Sequence, residues 1–124
     1  MSSTLTVTNL TATNLTDGGG TTSTFANLRA GSLKSYIFGN TTATVLKSLN
    51  VSSGVDNSTG NYTYNFTSAM SDANYTAGCS ASTSNDRSVM TNTRTTSSYV
   101  VECAQQNGNN VDSSHCSNVA GDLA

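Results

Sequence analysis

Three aromatic residues at alternate positions form the strongest structural signal in this sequence. Tyr62, Tyr64 and Phe66 are separated by Thr63 and Asn65. Because side chains alternate between the two faces of a β-strand, this spacing puts the three rings on one face and the two polar side chains on the other. The pattern predicts a strand with one apolar face, and we expect its aromatic residues to form part of the core.

The aromatic strand is predicted to be the second arm of a β-hairpin within residues 46–75. The first arm carries Leu46, Leu49 and Val51. Residues 54–60, which separate the two arms, are rich in Gly, Asn and Asp, and these residue types tolerate the left-handed backbone angles that chain reversals need. The sequence therefore predicts a long connecting loop between the arms.

The composition favours β-structure in the rest of the chain as well. Hydrophobic residues make up 35% of the chain and charged residues 10%, and both fractions are low for a globular domain. Proline is absent and the net charge is only −2, unlike the composition of most disordered segments. Thr favours strands, whereas Ser, Asn and Gly favour turns. We therefore predict an all-β protein of short strands and polar loops.

Further strands are predicted by short apolar or β-branched runs between turn residues. In the first of these runs, Tyr36 and Phe38 share one face and Ile37 lies on the other. Asn107-Gly108 is the strongest hairpin-turn signal in the chain. The strands indicate an antiparallel β-sandwich or jelly-roll-like domain. They are predicted at residues 33–38, 73–81, 89–93, 99–104 and 111–120.

Residues 1–32 are predicted to be a separate assembly segment in front of the domain at 33–124. Apolar residues recur in this segment with a period of five, which fits neither a helix nor an alternating strand. One copy cannot bury them, whereas three copies wound about a shared axis could, because repeats need neighbours to cover their apolar face. A single edge strand and a flexible tail are the alternatives. The residues expected at the shared axis are Leu5, Val7, Leu10 and Leu15.

The small apolar content also favours association of several copies. Burial contributes about 25 cal/mol per Å² of apolar surface, while ordering each residue costs roughly 1 to 2 kcal/mol of backbone entropy. With so few large apolar side chains, a monomer of 124 residues would be only marginally stable. We therefore expect an obligate oligomer.

Residues that could carry chemistry are few and scattered. The three cysteines, Cys79, Cys103 and Cys116, do not fit a zinc-binding spacing. A disulfide between Cys103 and Cys116 across the Asn107-Gly108 turn and buried free thiols are both compatible with the sequence. The only histidine, His115, would need further ligands from elsewhere in the chain to hold a metal ion.

The acidic residues do not form the carboxylate pair that glycan hydrolysis requires. Most of them lie in predicted loops, and Glu102, which falls within a predicted strand, is expected to face outward. The sequence therefore predicts no catalytic, cofactor-binding or metal-binding residue, and we expect the protein not to be an enzyme.

Charge and hydropathy exclude two classes of partner. The chain has five basic and seven acidic residues, and it lacks the basic patch that nucleic-acid binding normally needs. No apolar run approaches the roughly 20 residues of a transmembrane helix. We therefore expect neither nucleic-acid binding nor membrane insertion.

A pattern of polar and aromatic residues runs through residues 48–76. Its positions are Asn50, Val51, Asp56, Asn57, Gly60, Tyr62, Asn65, Phe66, Met70, Asp72 and Tyr75. This pattern, together with the repeat-bearing residues 1–20, resembles structural proteins of tailed bacteriophages, especially short fibre, spike or decoration proteins of phages of marine bacteria. The sequence departs from that pattern at Ser58-Thr59, where a glycine often precedes the threonine, and at Ser71, where proline is common.

The resemblance implies a homotrimeric, non-enzymatic virion protein that is assembled in the host cytoplasm and contacts other virion proteins. We expect a fibre or spike protein that attaches to a host surface glycan. The alternative is a capsid decoration (cement) protein that stabilises the particle, and a polysaccharide depolymerase is disfavoured by the small size and the missing carboxylate pair. The loop residues expected to contact the host are Asp56, Asn57, Asn85, Arg87, Asn107 and Asn109.

Overall fold

The described part of the chain consists of β-strands and contains no helix. The structure, a computed structural model, describes residues 14–16, 22–24, 32–82 and 86–124. Within these residues the expectation of an all-β protein is confirmed. The strands are β1 (Asn14–Thr16), β2 (Thr22–Thr24), β3 (Leu33–Gly39), β4 (Val45–Leu49), β5 (Val51–Ser58), β6 (Asn61–Phe66), β7 (Thr76–Ala81), β8 (Arg87–Arg94), β9 (Ser98–Gln105) and β10 (His115–Ala120).

Strands β3 to β10 form two four-stranded antiparallel sheets. The first sheet has the order β4-β3-β10-β7 and the second has the order β5-β6-β9-β8. Consecutive strands pair as hairpins in β3-β4, β5-β6 and β8-β9, whereas the other connections pass from one sheet to the other. Tyr99 of β9 and Ser117 of β10 share a buried hydrogen bond of 2.7 Å between the sheets. This arrangement is consistent with a β-sandwich.

The core lies between the sheets and is built mainly from aromatic rings. Tyr62, Tyr64 and Phe66 lie on the inner face of β6, where their exposed fractions are 0%, 0% and 8%. The ring centroid of Phe66 lies 5.4 Å from that of Tyr99 and 5.7 Å from that of Tyr75, whose ring it meets edge-on. Aromatic contacts of this kind stabilise a core beyond the area that they bury. The other buried apolar residues are Ile37, Ala43, Met70, Val101, Cys103 and Val119.

Strand β3 presents its larger aromatic residues to the outside of the sandwich. Ile37 is buried, whereas Tyr36 and Phe38 lie on the outer face of the first sheet. The alternation was predicted, but its direction depends on the opposing sheet. A side chain at Gly39, next along the inner face, would overlap the Tyr64 hydroxyl. The rings of the second sheet therefore fill the core, and little room remains for side chains from β3.

The predicted hairpin is wrong in its loop at residues 54–60 and in most of its first arm, because Leu46 and Leu49 lie in β4 of the first sheet and the hairpin partner of β6 is β5. Strand β5 continues to Ser58, which pairs with Asn61, so the reversal is a two-residue turn at Thr59-Gly60. Gly60 has a φ of 67°, a left-handed angle that glycine adopts without a side-chain penalty. Gly54 lies within the ladder opposite Tyr64, and residues of turn-like composition are tolerated in β5 because it is an edge strand with an exposed outer side.

Two other strands are shorter than predicted. β7 begins at Thr76 rather than at residue 73, and β10 begins at His115 rather than at residue 111. Residues 111–114 instead brace the neighbouring turn, because the Asp112 carboxylate accepts a hydrogen bond of 2.8 Å from the Gly60 amide. These residues therefore contact a turn instead of extending β10, and the local sequence pattern does not predict this contact.

The strand pairing gives the sandwich two different ends. The first residues of β6 and β8 pair with the last residues of β9. The connections that precede β6 and β8 and the one that follows β9 therefore lie at the same end of the sandwich, which we call the distal end. In the first sheet His115, at the start of β10, stacks on Tyr62 near the distal end, whereas Leu33 pairs with Ala120 at the opposite, proximal end. The chain therefore enters the sandwich at the proximal end. The distal end carries the turn at 59–60, Ser82, Asp86 and residues 105–114.

Most of the predicted assembly segment lies outside the described residues. Leu5, Val7 and Leu10 belong to that part, and the intertwined arrangement stays a prediction. Leu15 lies in β1, which pairs with β2 in antiparallel register through Leu15 opposite Ser23. The division into residues 1–32 and 33–124 also stays a prediction.

Candidate functional site

The densest group of polar side chains surrounds His115 and is enclosed between the sheets. Nδ1 of His115 donates a hydrogen bond of 2.8 Å to the Ser113 carbonyl, and the Tyr64 hydroxyl lies 2.8 Å from Nε2. The ring also stacks on Tyr62 at 4.7 Å. Burial lowers the pKa of His115 from its usual 6.5, so the ring is neutral at pH 7. Both nitrogens are occupied, which gives His115 a structural role rather than that of a metal ligand.

The same network extends to the distal turn through Tyr62. Its hydroxyl donates to the Asp112 carboxylate at 3.0 Å, and that oxygen also accepts from the Gly60 amide. Burial raises the pKa of Tyr62, so the hydroxyl keeps its proton. The distal turn is therefore held in place by a chain of hydrogen bonds that starts in the core.

All three cysteines are free thiols in the structure. Cys103 is fully buried on β9, and burial raises its pKa to about 11. Cys79, which is half-buried on β7, also has a raised pKa because of burial. Cys116 lies on the outer face of β10, between the inward-facing His115 and Ser117. Its side chain therefore points away from Cys103, and the free-thiol alternative describes the structure.

Glu102 lies on the outer face of the second sheet, as its strand position predicted. Its carboxylate accepts hydrogen bonds from the Asn92 amide at 2.7 Å and from the Asn61 amide at 3.4 Å. Asn61 in turn accepts from Asn57 at 2.8 Å. Among the described residues, no group of three or more His, Cys, Asp and Glu side chains could hold a metal ion. Glu102 therefore belongs to a polar layer whose members largely bind one another.

The distal end brings together part of the predicted host-contact set. Arg87 and Asn107 line one groove of about 350 Å³, which we call the distal groove. Asn109 lies in the same turn as Asn107, and its backbone amide donates a hydrogen bond of 3.0 Å to the side-chain oxygen of Asn107. Among the described residues, Asp86, Gln105 and Gln106 also line the distal groove.

The remaining predicted contact residues lie elsewhere. Asp56 and Asn57 are exposed residues of edge strand β5, not members of a loop, because the turn is confined to Thr59-Gly60. Asn85 lies outside the described residues. The prediction grouped these positions by composition, whereas strand pairing separates β5 from the distal groove by the width of the second sheet.

The outer face of the first sheet carries a second groove that the sequence did not predict. This outer groove has a volume of about 570 Å³ and is lined by Tyr36, Phe38, Lys47, Cys116 and Asn118, among others. The alternation of Tyr36 and Phe38 was the sequence signal for it. Only the packing of the opposite face of β3 against the core shows that both rings point outward.

A third concavity lies at the proximal end, where residue 32 leads into β3. This proximal cleft, of about 520 Å³, contains three leucines, Leu33, Leu49 and Leu123. Their exposed fractions are 49%, 46% and 37%, which is high for large apolar side chains close together. The polar residues beside them include Asn50 and Ser68.

Comparison with protein-family models, with curated proteins and with solved structures finds no match for this chain. The described part of the chain contains no helix that could span a membrane. The distal groove, the outer groove and the proximal cleft are therefore the features from which a function can be inferred.

Proposed function

We propose that the protein is a non-enzymatic virion protein of a tailed phage, a homotrimeric fibre or spike protein that attaches to the host surface. One observation carries the proposal. The chain enters the sandwich at a proximal end with exposed leucines, and its polar connections meet at the opposite, distal end. A domain with an apolar end for assembly and a polar end for recognition suits a knob held at the tip of a stalk.

The proximal cleft supports assembly with further copies of the same chain. The repeat with Leu5, Val7, Leu10 and Leu15 precedes the cleft in sequence, and the chain between them ends at residue 32, on the wall of the cleft. Copies joined along that repeat would bring their proximal ends together. The leucines of the cleft would then be removed from water at the same contact, which adds the apolar burial that the single chain lacks.

The distal end supports recognition of a polar surface. The distal groove is lined by a guanidinium, a carboxylate and three side-chain amides, from Arg87, Asp86, Gln105, Gln106 and Asn107. Groups of this kind donate and accept hydrogen bonds in fixed directions, as recognition of a hydroxyl-rich surface requires. The outward-facing carboxylate of Glu102 is held by asparagine amides, which supports a structural role for it rather than a hydrolytic one.

Native mass in solution tests the assembly part of the proposal. Light scattering on a size-exclusion column should give three times the chain mass of 12.8 kDa. Leu10→Asp should prevent assembly, because it would place charges together in an apolar axis. Val55→Asp, which adds a charge to the exposed outer face of the second sheet, is the control and should assemble normally. Normal assembly of the Leu10→Asp variant would contradict the shared axis.

A capsid cement protein is the second candidate, and the proximal cleft favours it too. Leucines exposed at one end, together with Leu46, which is 56% exposed on edge strand β4, could clamp neighbouring capsid subunits. Particles that lack the protein separate the two functions. Loss of host adsorption with unchanged heat resistance supports attachment, whereas particles that adsorb normally but disrupt at lower temperature would identify a cement protein.

A further inference from the structure

We propose that the outer groove binds an acidic glycan, a polysaccharide whose pyranose rings carry carboxylates. The inference rests on the proposed attachment function and names the ligand class and the site. It adds a recognition surface on the outer face of the first sheet to the one proposed at the distal end.

An aromatic platform forms the floor of the groove. Phe38 and Tyr36 project from the same face of β3, two residues and therefore about 6 to 7 Å apart along the strand. Phe38 is 37% exposed, although the inner neighbour Ile37 is only 2% exposed. The apolar face of a pyranose ring packs well on an aromatic ring, because the C–H groups on that face of the sugar point toward the negative face of the aromatic ring.

Strand pairing sets polar groups beside each ring. Lys47 lies across from Phe38 on edge strand β4, and Asn118 lies across from Tyr36 on β10. Neither the Lys47 amine nor the Asn118 amide forms a hydrogen bond or ion pair with another described residue. Gly78 of β7, which pairs with Asn118, has no side chain, so the Asn118 amide stays open to a ligand. Each ring therefore has an uncommitted hydrogen-bonding group next to it.

The charge of the groove selects an anionic sugar. Among the described residues, Lys47 is the only charged one that lines the groove, and none of them contributes a carboxylate. A carboxylate on a sugar stacked on Phe38 would meet the Lys47 amine and form a charge-assisted hydrogen bond. The net charge of the chain is −2 and gives no long-range attraction to a polyanion, so binding must depend on these local contacts.

A second copy of the chain fits the groove less well. Closing the groove against protein would remove the Lys47 amine and the Asn118 amide from water, which is unfavourable unless the partner supplies acceptors and donors for both. The proximal cleft, with three leucines, is the better surface for association between copies. Self-association through the outer groove is nevertheless an outcome that the experiment must detect.

The test is titration of the full chain with an oligogalacturonate and with a neutral malto-oligosaccharide of equal length. Amide NMR shifts should map the binding to the outer groove, and bound oligogalacturonate should protect Cys116, which lines it, from iodoacetamide. Cys103 is fully buried, whereas Cys79 is half-buried and also lines the groove. Burial raises the pKa of both thiols, and alkylation is therefore assigned to each cysteine separately by peptide mass spectrometry.

Two variants separate stacking from charge. Phe38→Ala should weaken the binding of both oligosaccharides about tenfold, because each loses its stacking surface. Lys47→Gln should weaken only the binding of the acidic oligosaccharide, about five- to tenfold. The matched controls are Met90→Ala, an exposed apolar residue of the second sheet, and Lys34→Gln, a lysine on the same strand as Phe38. Both controls should bind like the unchanged protein.

Three results would overturn the inference. The first is the absence of chemical-shift changes in the groove at millimolar oligogalacturonate. The second is an equal affinity of the unchanged protein and the Lys47→Gln variant for oligogalacturonate. The third is a set of chemical-shift changes in the groove that depend on the protein concentration rather than on the sugar concentration. Host adsorption is scored separately. If adsorption needs the protein but Phe38→Ala and Lys47→Gln adsorb normally, the inference fails and the attachment function stands. If adsorption does not need the protein, the attachment function fails whatever the titration shows.

Discussion

The Tyr64 hydroxyl donates a hydrogen bond of 2.8 Å to Nε2 of His115 across the contact between the two sheets. The other nitrogen of the ring, Nδ1, donates to the Ser113 carbonyl, which identifies Nε2 of the neutral ring as the acceptor. Both side chains are fully buried, so neither can exchange its partner for water. The pair therefore joins the second sheet to the first, and each of the two side chains is the hydrogen-bond partner of the other.

Loss of the Tyr64 hydroxyl should destabilise the domain even though the ring is retained. We expect Tyr64→Phe to lower the free energy of unfolding by about 1 to 3 kcal/mol, because a buried acceptor on His115 is left unpaired. Tyr64→Ala should cost about 3 to 5 kcal/mol, because it also opens a cavity. Urea denaturation followed by circular dichroism measures both values.

Tyr36 provides the matched control, because it lies on the outer face of the first sheet. Tyr36→Phe should change the free energy of unfolding by less than about 0.5 kcal/mol. An equal effect of Tyr64→Phe and Tyr36→Phe would contradict the importance of the contact with His115.

Acid should destabilise the domain through its single histidine. Burial lowers the pKa of His115 in the folded state, so below its usual pKa of 6.5 the unfolded chain binds a proton that the folded chain does not. Stability therefore rises with pH in this window: the contribution is complete above 6.5 and is lost as the pH falls through the folded pKa. Urea midpoints at about pH 7.5 and 5.5 measure the difference, since carboxylates titrate mostly below that range.

A variant without the histidine separates this effect from other titrations. His115→Gln should be less stable at both pH values, but its urea midpoint should hardly change between them, because the chain has no other histidine. A midpoint of the variant that shifts as much as that of the unchanged protein would assign the pH dependence to other groups.

Alkali should unfold the domain in one step. Burial raises the pKa of Tyr99 to about 12 and that of Cys103 to about 11, and it also raises the pKa of Tyr62 and Tyr64. The unfolded chain loses these protons at lower pH than the folded chain, so stability falls as the pH rises above the ordinary pKa values of about 9 for cysteine and 10 for tyrosine. Tyrosinate absorbance should rise together with the loss of circular dichroism. Ionisation of the buried tyrosines in a domain that keeps its circular dichroism would contradict the prediction.

Glycine should be required at residue 60 for space as well as for backbone angle. A Cβ there would lie 2.7 Å from the Val111 amide nitrogen and would overlap the Cys103 carbonyl. Gly108 is the matched control, because its φ of 83° is also left-handed but no atom lies within 4 Å of its Cβ position. We expect Gly108→Ala to cost about 1 to 2 kcal/mol from strain alone, and Gly60→Ala to cost more. Thermal denaturation compares the two variants, and equal losses would show that the space beside Gly60 is not limiting.

Strand β5 shows where local patterning misleads. Its glycine, asparagine and aspartate residues have the composition of a loop, yet residues 51–58 pair with β6. Edge strands need few apolar side chains, and the close approach of β5 to the Ala43 carbonyl requires glycine at residue 54, where a Cβ would overlap that oxygen. Neither condition is visible until the neighbouring strands are known.

Local sequence patterns are enough to predict the β-class of the domain, the inward-facing aromatic row of Tyr62, Tyr64 and Phe66, and the turn at Asn107-Gly108. These features follow from side-chain alternation and backbone preference, which act between residues a few positions apart. Tertiary packing, in contrast, turns Tyr36 and Phe38 outward, brings Arg87 and Asn107 into one groove, and places the entry of the chain at the end opposite to that groove. These depend on which distant strands pair and which face meets the core, and such non-local contacts leave no periodic trace in the chain.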